Sequence, residues 1–228
     1  MPVKLFRPIL AGATLGERLA TAAGAALGLA VTYALCAHLP WGARLPAIVA
    51  PLGASAVLAF AVPASPLAQP WSVIGGNTVS ALVGVAVYRT IPDAGIAAGV
   101  AVGAAIVAMS LLRCLHPPGG AAALTAVIGG APIHAAGFGF AFAPVGINSL
   151  LLVLLAVAFH RLRGHSYPHR PAAPAVVAAA ERAAGFAPED LDLALADMHE
   201  SFDIDRADLD LLLATAETHA RRRRAGTR

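Results

Sequence analysis

Apolar residues fill the first two-thirds of the chain in long blocks, broken by proline and glycine rather than by charge. Between Arg18 and Arg113 the charged residues are Arg44, Arg89 and Asp93 alone. A helix needs about 20 apolar residues to cross bilayer hydrocarbon, and the stretches 19–43, 45–88 and 94–112 between these charges hold 25, 44 and 19 residues. Six membrane segments are predicted: 19–39, 45–62, 73–88, 94–112, 118–131 and 144–159. Segment 73–88 lengthens if Pro70 begins it. Segment 118–131 is short for a span and suits a re-entrant or broken helix.

Lys4, Arg7 and Arg18 precede the first segment, and Arg161, Arg163 and Arg170 follow the last. By the positive-inside rule both ends face the cytoplasm, so the number of crossings is even. Six crossings satisfy this; four, with two segments re-entrant, is the alternative. Residues 19–39 read as a retained signal-anchor helix rather than a cleaved leader.

A weak internal similarity favours six. Pro51-Leu-Gly-Ala-Ser-Ala56 resembles Pro118-Gly-Gly-Ala-Ala-Ala123, and Pro70 before Gly75, Gly76 and Asn77 resembles Pro144 before Gly146 and Asn148. Three segments per copy is an odd number, so the second copy is inverted in the membrane, a recurrent transporter plan. The predicted fold is therefore all-α: a polytopic transmembrane helix bundle, arranged as a 3+3 inverted repeat, with a short helical cytoplasmic tail. The predicted organisation is a cytoplasmic segment 1–18, a membrane domain 19–160, a linker 161–186 and a tail 187–228. In that tail Pro188, Glu189 and Asp190 open an acidic amphipathic stretch, and Arg221, Arg222, Arg223 and Arg224 close it. Two helices joined near residues 202–205 are expected there. Asp203, Asp205 and Asp208 lack the glycine and spacing of a calcium loop.

Composition sharpens the class. The 228 residues are 58% apolar and 13% charged, with a mean hydropathy of +0.72. Soluble domains average about 45–50% apolar and about 25% charged, so a soluble single-domain enzyme is excluded. The net charge of +3 joins two unlike regions. Residues 1–180 carry nine basic and two acidic side chains, and residues 181–228 carry seven basic and eleven acidic. The positive balance thus sets orientation in a bilayer and does not call for nucleic acid. Two cysteines, Cys36 and Cys114, are too few for a disulfide scaffold.

Three stretches could carry chemistry. Arg113-Cys-Leu-His-Pro-Pro-Gly-Gly120 turns abruptly polar at the edge of an apolar block. Pro117 and Pro118 end one helix and start the next; Gly119 and Gly120 permit close approach, and the amides of the new helix end suit an anion. Arg113 and His116 would add charge and hydrogen bonds; the plain alternative is an interfacial break with a snorkelling arginine. Gln69 and Asn77 flank a proline-rich loop at membrane depth, as pathway lining or as helix glue. Gly53 and Ser55 sit in the first helix start, as packing or as pore lining. No Asp or Glu lies inside a predicted span, whereas cation pumps and proton relays usually keep one there. A small anion or neutral solute suits such a path better. No metal-ligand spacing, nucleophile motif or phosphate loop is present, so neither an enzyme, a metal nor a cofactor is expected.

Three ordered motifs carry a resemblance: Leu115-His-Pro-Pro-Gly-Gly-Ala121 with Ala123 and Leu124, Gly53-Ala-Ser-Ala-Val-Leu-Ala-Phe60, and Ser65-Pro-Leu-Ala-Gln-Pro70. Together they resemble the HPP family of integral membrane proteins over residues 15–160. The resemblance implies a multi-pass protein of the cell (inner) membrane, usually described with four membrane helices, and nitrite transport is assigned to some members. The tail is similar to the segment that joins many members to CBS domains; the sequence ends at Arg228, so their nucleotide-sensing role is not carried over. The expected function is transport of a small anion, nitrite first, with the lipid bilayer and the anion as partners. A membrane-embedded sensor or scaffold signalling through the acidic tail is the alternative from another class. The small-residue faces Gly24 with Gly28 and Gly99 with Gly103 favour helix association, hence a homo-oligomer.

Overall fold

The computed structural model describes residues 14–41, 44–171, 173, 175–177, 187–198 and 203–226. Those residues form helices α1 (Leu15–Ala37), α2 (Pro51–Ala61), α3 (Pro70–Thr90), α4 (Ala94–Leu111), α5 (Pro117–Ile128), α6 (Ala131–Ala136), α7 (Ile147–Leu162), α8 (Pro188–Met198) and α9 (Arg206–Ala225). A 3-10 turn spans Pro66–Ala68, and a π-helical turn, Ala141–Gly146, runs into α7. Helix starts follow sequence chemistry. Proline opens α2, α3 and α5, where its missing N–H costs nothing. Thr14 and Glu17 form a reciprocal capping box on α1, and Asp93 caps α4 by accepting from the Ile96 amide at 2.8 Å.

Four stretches are long and apolar enough to cross a membrane: α1, α3, α4 and Ala141–Leu162. Two expected segments are shorter than predicted. Segment 45–62 is helical only from Pro51, because residues 45–50 form an irregular run braced by a side chain instead of by their own ladder. The Asn148 Oδ1 accepts from Val49 N at 3.1 Å, and its Nδ2 donates to Ala47 O at 3.0 Å. Segment 118–131 is helical only to Ile128, since Gly130 takes a left-handed φ of +83° and a separate short helix, α6, starts after it. The order is thus long, short, long in α1–α3 and again in α4, α5 and α7.

Side-chain contacts fix the direction of each helix. Glu17 and Arg18 at the start of α1 lie beside Phe60 and Ala61 at the end of α2. Trp71 at the start of α3 donates to Leu112 O just after α4, at 3.1 Å. Tyr88 and Arg89 at the end of α3 meet His134 and Phe138, beside the start of the last span. Successive helices α1, α2, α3, α4, α5 and α7 therefore alternate in direction, and the two triplets run oppositely. Each triplet lends its third helix to the other: α1, α2 and α7 pack together, as do α4, α5 and α3. The pattern is unchanged on exchanging α1 with α4, α2 with α5 and α3 with α7, as an inverted repeat requires.

Helix α3 sits at the centre, with 56% of its most apolar window buried against 22% for α1 and α4. Its three faces serve three neighbours. Gly76, Ser80 and Gly84, spaced by four, lie against α5 so closely that a Cβ on Gly84 would stand 2.4 Å from Ala123 O. Val79, Val83 and Val87 pack on the α4 stripe Ala97, Ala101, Ala105 and Met109, and Asn77 faces α2 and α7. Small residues substitute here for the hydrophobic effect, which gives helices in lipid no reason to associate. In the other half Phe159 and Phe60 fill the notches at Gly24 and Gly28, so those glycines serve packing within the chain. Gly99 and Gly103 face open space. The exposed bulky residues, among them Leu19, Leu27, Ile106 and Leu154, form the lipid-facing surface.

Beyond the bundle, α8 and α9 pair through an apolar groove of Leu191, Leu195, Leu209 and Leu213. Arg206 bonds the Asp192 carboxylate and donates to Asp210 at 2.9 Å. Of the expected N-terminal segment, residues 1–13 lie outside the described residues, as do 178–186 of the linker.

Candidate functional site

The closing of α2, α3, α5 and α7 on one another buries a chain of polar groups. His116, the N-cap of α5, is fully buried. Its Nδ1 lies 2.8 Å from Leu67 O and its Nε2 lies 2.8 Å from Ser55 Oγ on α2. A carbonyl only accepts, so Nδ1 carries a hydrogen, and in the neutral ring Nε2 accepts from the Ser55 hydroxyl. Asn77 Nδ2 on α3 donates to Ser55 Oγ at 3.0 Å and to Ser149 Oγ on α7 at 3.1 Å. Four helices and one loop are thereby joined by side chains that are at most 1% exposed.

Not every polar group of α3 at this depth is satisfied. Asn77 Oδ1, Thr78 Oγ1 and Ser80 Oγ are buried with no hydrogen-bond partner. Each such group costs about 1–3 kcal/mol, and native proteins keep few of them without a reason. Ser80→Ala removes one without breaking a hydrogen bond, and we expect it to raise thermal stability in detergent by about 1 kcal/mol. A lowered unfolding temperature would show that the hydroxyl has a partner after all.

Of the residues singled out in the sequence, Ser55, Asn77 and His116 come together here. Pro118 and Gly119 are buried beside them; a Cβ on Gly119 would stand 2.7 Å from Ser80 Oγ and 3.0 Å from Gly76 O. Pro117 is exposed, and Gly120 faces Val102 on α4. Gly53 is exposed with nothing near it. Gln69 braces the loop, with Nε2 donating to Pro63 O and Ser65 O and Oε1 accepting from His169 N. Arg113 is exposed, with a left-handed φ of +53°, and borders a surface pocket of about 240 Å3 with Gln69, Ser72, Trp71, His169 and Asp205.

The helix ends themselves have little left to offer an anion. Pro117 and Pro118 have no N–H, and Gly119 N donates to His116 O at 2.8 Å. At α2, Pro51 has none, and Leu52 N and Gly53 N donate to Val49 O and Ala50 O. The binding potential therefore lies in side chains. Sequence reading passed over Ser149 as a site residue, although a hydroxyl inside an apolar helix was the signal. The Leu67 carbonyl has no sequence signal at all.

A family model, for the HPP transmembrane region, matches residues 11–168. The chain belongs to the HPP family. That match takes in every helix from α1 to α7 and the whole polar network. Two transmembrane proteins of Dictyostelium discoideum are similar to this HPP chain: one is 39% identical over 131 residues, covering 55% of the chain and 46% of the relative. The other is 42% identical over 120 residues, covering 50% and 38%. The HPP chain thus spans less than half the length of these relatives. No solved structure matches it.

The network of the HPP domain is tied to the tail. The Ser65 hydroxyl bonds the Asp203 carboxylate at 2.7 and 2.8 Å and accepts from Leu67 N at 3.1 Å. His169 Nε2 meets Asp208 Oδ2 at 2.6 Å. Tyr167 donates to Ala68 O at 2.8 Å, and burial raises its pKa, which keeps it a donor. The loop whose Leu67 carbonyl aims His116 is thus fastened by the tail on one side and by 167–169 on the other.

Proposed function

We propose that this HPP protein is a transporter, not an enzyme, moving a small monovalent oxyanion across the cell membrane, with nitrite as the first candidate. A buried network of hydroxyls and one carboxamide, left partly unpartnered at the meeting of two oppositely directed helix triplets, is what favours it. Carriers built from inverted repeats bind cargo at the repeat interface, where irregular backbone is tolerated because it lines the path. Ser55, Asn77, Ser149 and His116 would take over hydration from the cargo, with Ser80 and Thr78 offering hydroxyls. Arg113 would attract anions to the mouth. Both ends of the bundle's chain, Leu15 and Leu162, lie at the Arg113 end, and the flanking arginines favour a cytoplasmic position for that end.

A second reading, a membrane-embedded sensor, draws on the Asp203–Ser65 and Asp208–His169 contacts. Nitrite uptake into proteoliposomes, against protein-free vesicles, separates the two. Transport predicts protein-dependent uptake that falls at least tenfold in Gly119→Leu and survives deletion of residues 187–228. A sensor predicts no uptake above the blank.

A further inference from the structure

The unpartnered acceptor at Asn77 narrows the form in which cargo is held, given the transport reading above. Asn77 Oδ1 can only accept, and both bonds made by its amide nitrogen are already spent on Ser55 and Ser149. A bare anion would set its charge against that oxygen. A ligand bearing one acidic O–H and other oxygen acceptors would donate to Asn77 Oδ1 and accept from the nearby hydroxyls.

His116 and Ser55 are built to supply that hydrogen. Ser55 Oγ lies 2.8 Å from Nε2 and also 3.3 Å from Pro51 O. With a neutral ring, the hydroxyl donates to Nε2. With a charged ring, Nε2–H donates to Ser55 Oγ, and the hydroxyl turns to Pro51 O. In both states Asn77 Nδ2 fills the other lone pair of Ser55, Leu67 O receives Nδ1–H, and no bond of the network is left unmade.

Few other groups compete for the proton. Helix α2 and residues 62–69 contain no ionisable side chain. On α3 Tyr88 and Arg89 lie at the far end, on α4 Asp93 does, and on α7 His160 bonds Ala59 O one turn beyond Ser55. Beside His116, Arg113 is exposed and Cys114 is buried; Tyr167 meets the loop at Ala68 O.

We propose that the carrier moves its anion together with one proton, held by the His116–Ser55 pair and delivered so that the cargo lies in the bundle as its neutral acid, donating to Asn77 Oδ1. In the transfer the Nε2–H bond breaks, its electron pair stays on nitrogen, and the proton passes to Ser55 Oγ. Ser55 gives up its own hydrogen to a cargo oxygen. The ring ends neutral, the serine ends a hydroxyl, and the anion becomes its conjugate acid.

The test uses full-length protein in proteoliposomes, with nitrite as the probe, a lumenal pH dye, and proton gradient and membrane potential imposed separately. After subtraction of protein-free vesicles, uptake is expected to rise several-fold with an inward proton gradient. It should acidify the lumen by one proton per nitrite and ignore a potassium–valinomycin potential. His116→Gln keeps a donor and an acceptor but carries no proton, and should lose the response to the gradient. The wild-type stoichiometry decides the matter even if that variant does not fold. Uptake that follows the potential and leaves lumenal pH unchanged would overturn proton coupling and leave anion transport standing. No protein-dependent uptake would overturn both.

Discussion

Replacing Gly84 with valine is expected to abolish the folded bundle, a loss of about 3 kcal/mol or more. The site is where α3 and α5 touch backbone to backbone. A Cβ there would stand 2.4 Å from Ala123 O, 2.9 Å from Ala123 Cα and 2.8 Å from Ala126 Cβ. None of these is the free end of a flexible side chain, so relief requires the helices to part. Parting them also draws apart the faces that carry Gly76, Ser80 and Gly119, on which the seating of His116 depends. Gly84→Ala should already lower thermal stability clearly. Gly99→Ala and Gly103→Ala are the controls: they lie on a membrane helix with open space at the Cβ position, and alanine gains helix propensity of about 1 kcal/mol. Unfolding in detergent, followed by loss of the monodisperse peak on heating, measures all four. A Gly84→Val protein as stable as the controls would show that α3 and α5 do not pack this closely.

That contrast marks how far the sequence could be read. The four long spans were legible because transfer of apolar residues into lipid is a sum over composition, which needs no knowledge of neighbours. Prolines 51, 70 and 117 announced three helix starts for an equally local reason. The inverted repeat was legible as a faint similarity between Pro51 and Pro118; the exchange of third helices between triplets was not, because sequence similarity does not say which partner a helix takes. Nor could the sequence separate Gly84 and Gly76, pressed against backbone, from Gly99 and Gly103, facing outward; all four are glycines in apolar helices. Within the site, His116, Asn77 and Ser55 stood out as polar groups in apolar surroundings. What joins them is set by distance in space: 61 residues separate Ser55 from His116, and 72 separate Asn77 from Ser149. Gly53 differed in the other direction. Its motif position suggested a role, but in the fold it lies on the outer surface of α2, two residues from Ser55, which points inward.

His116→Ala should be the most damaging single change inside the network, costing about 3–5 kcal/mol. Removing the ring leaves a cavity among α2, α3 and α5 and strips Leu67 O of its donor. Ser55 is better protected, since its hydroxyl can turn to Pro51 O. The two losses are therefore unequal, and a double-mutant cycle exposes this. Ser55→Ala alone deprives His116 Nε2 of its donor and Asn77 Nδ2 of one acceptor, and is expected to cost about 1–3 kcal/mol. Once His116 is gone, the same change should cost less, because only the bond from Asn77 remains to be broken. A coupling energy of about 1–2 kcal/mol between the two sites is the expected result. It would be read from denaturant unfolding of the detergent-solubilised single and double variants. Strict additivity would mean that the 2.8 Å contact between serine and imidazole contributes nothing. The α5 N-terminus would then be held by the bond of His116 to Leu67 O and by the close approach of Gly119 to Gly76.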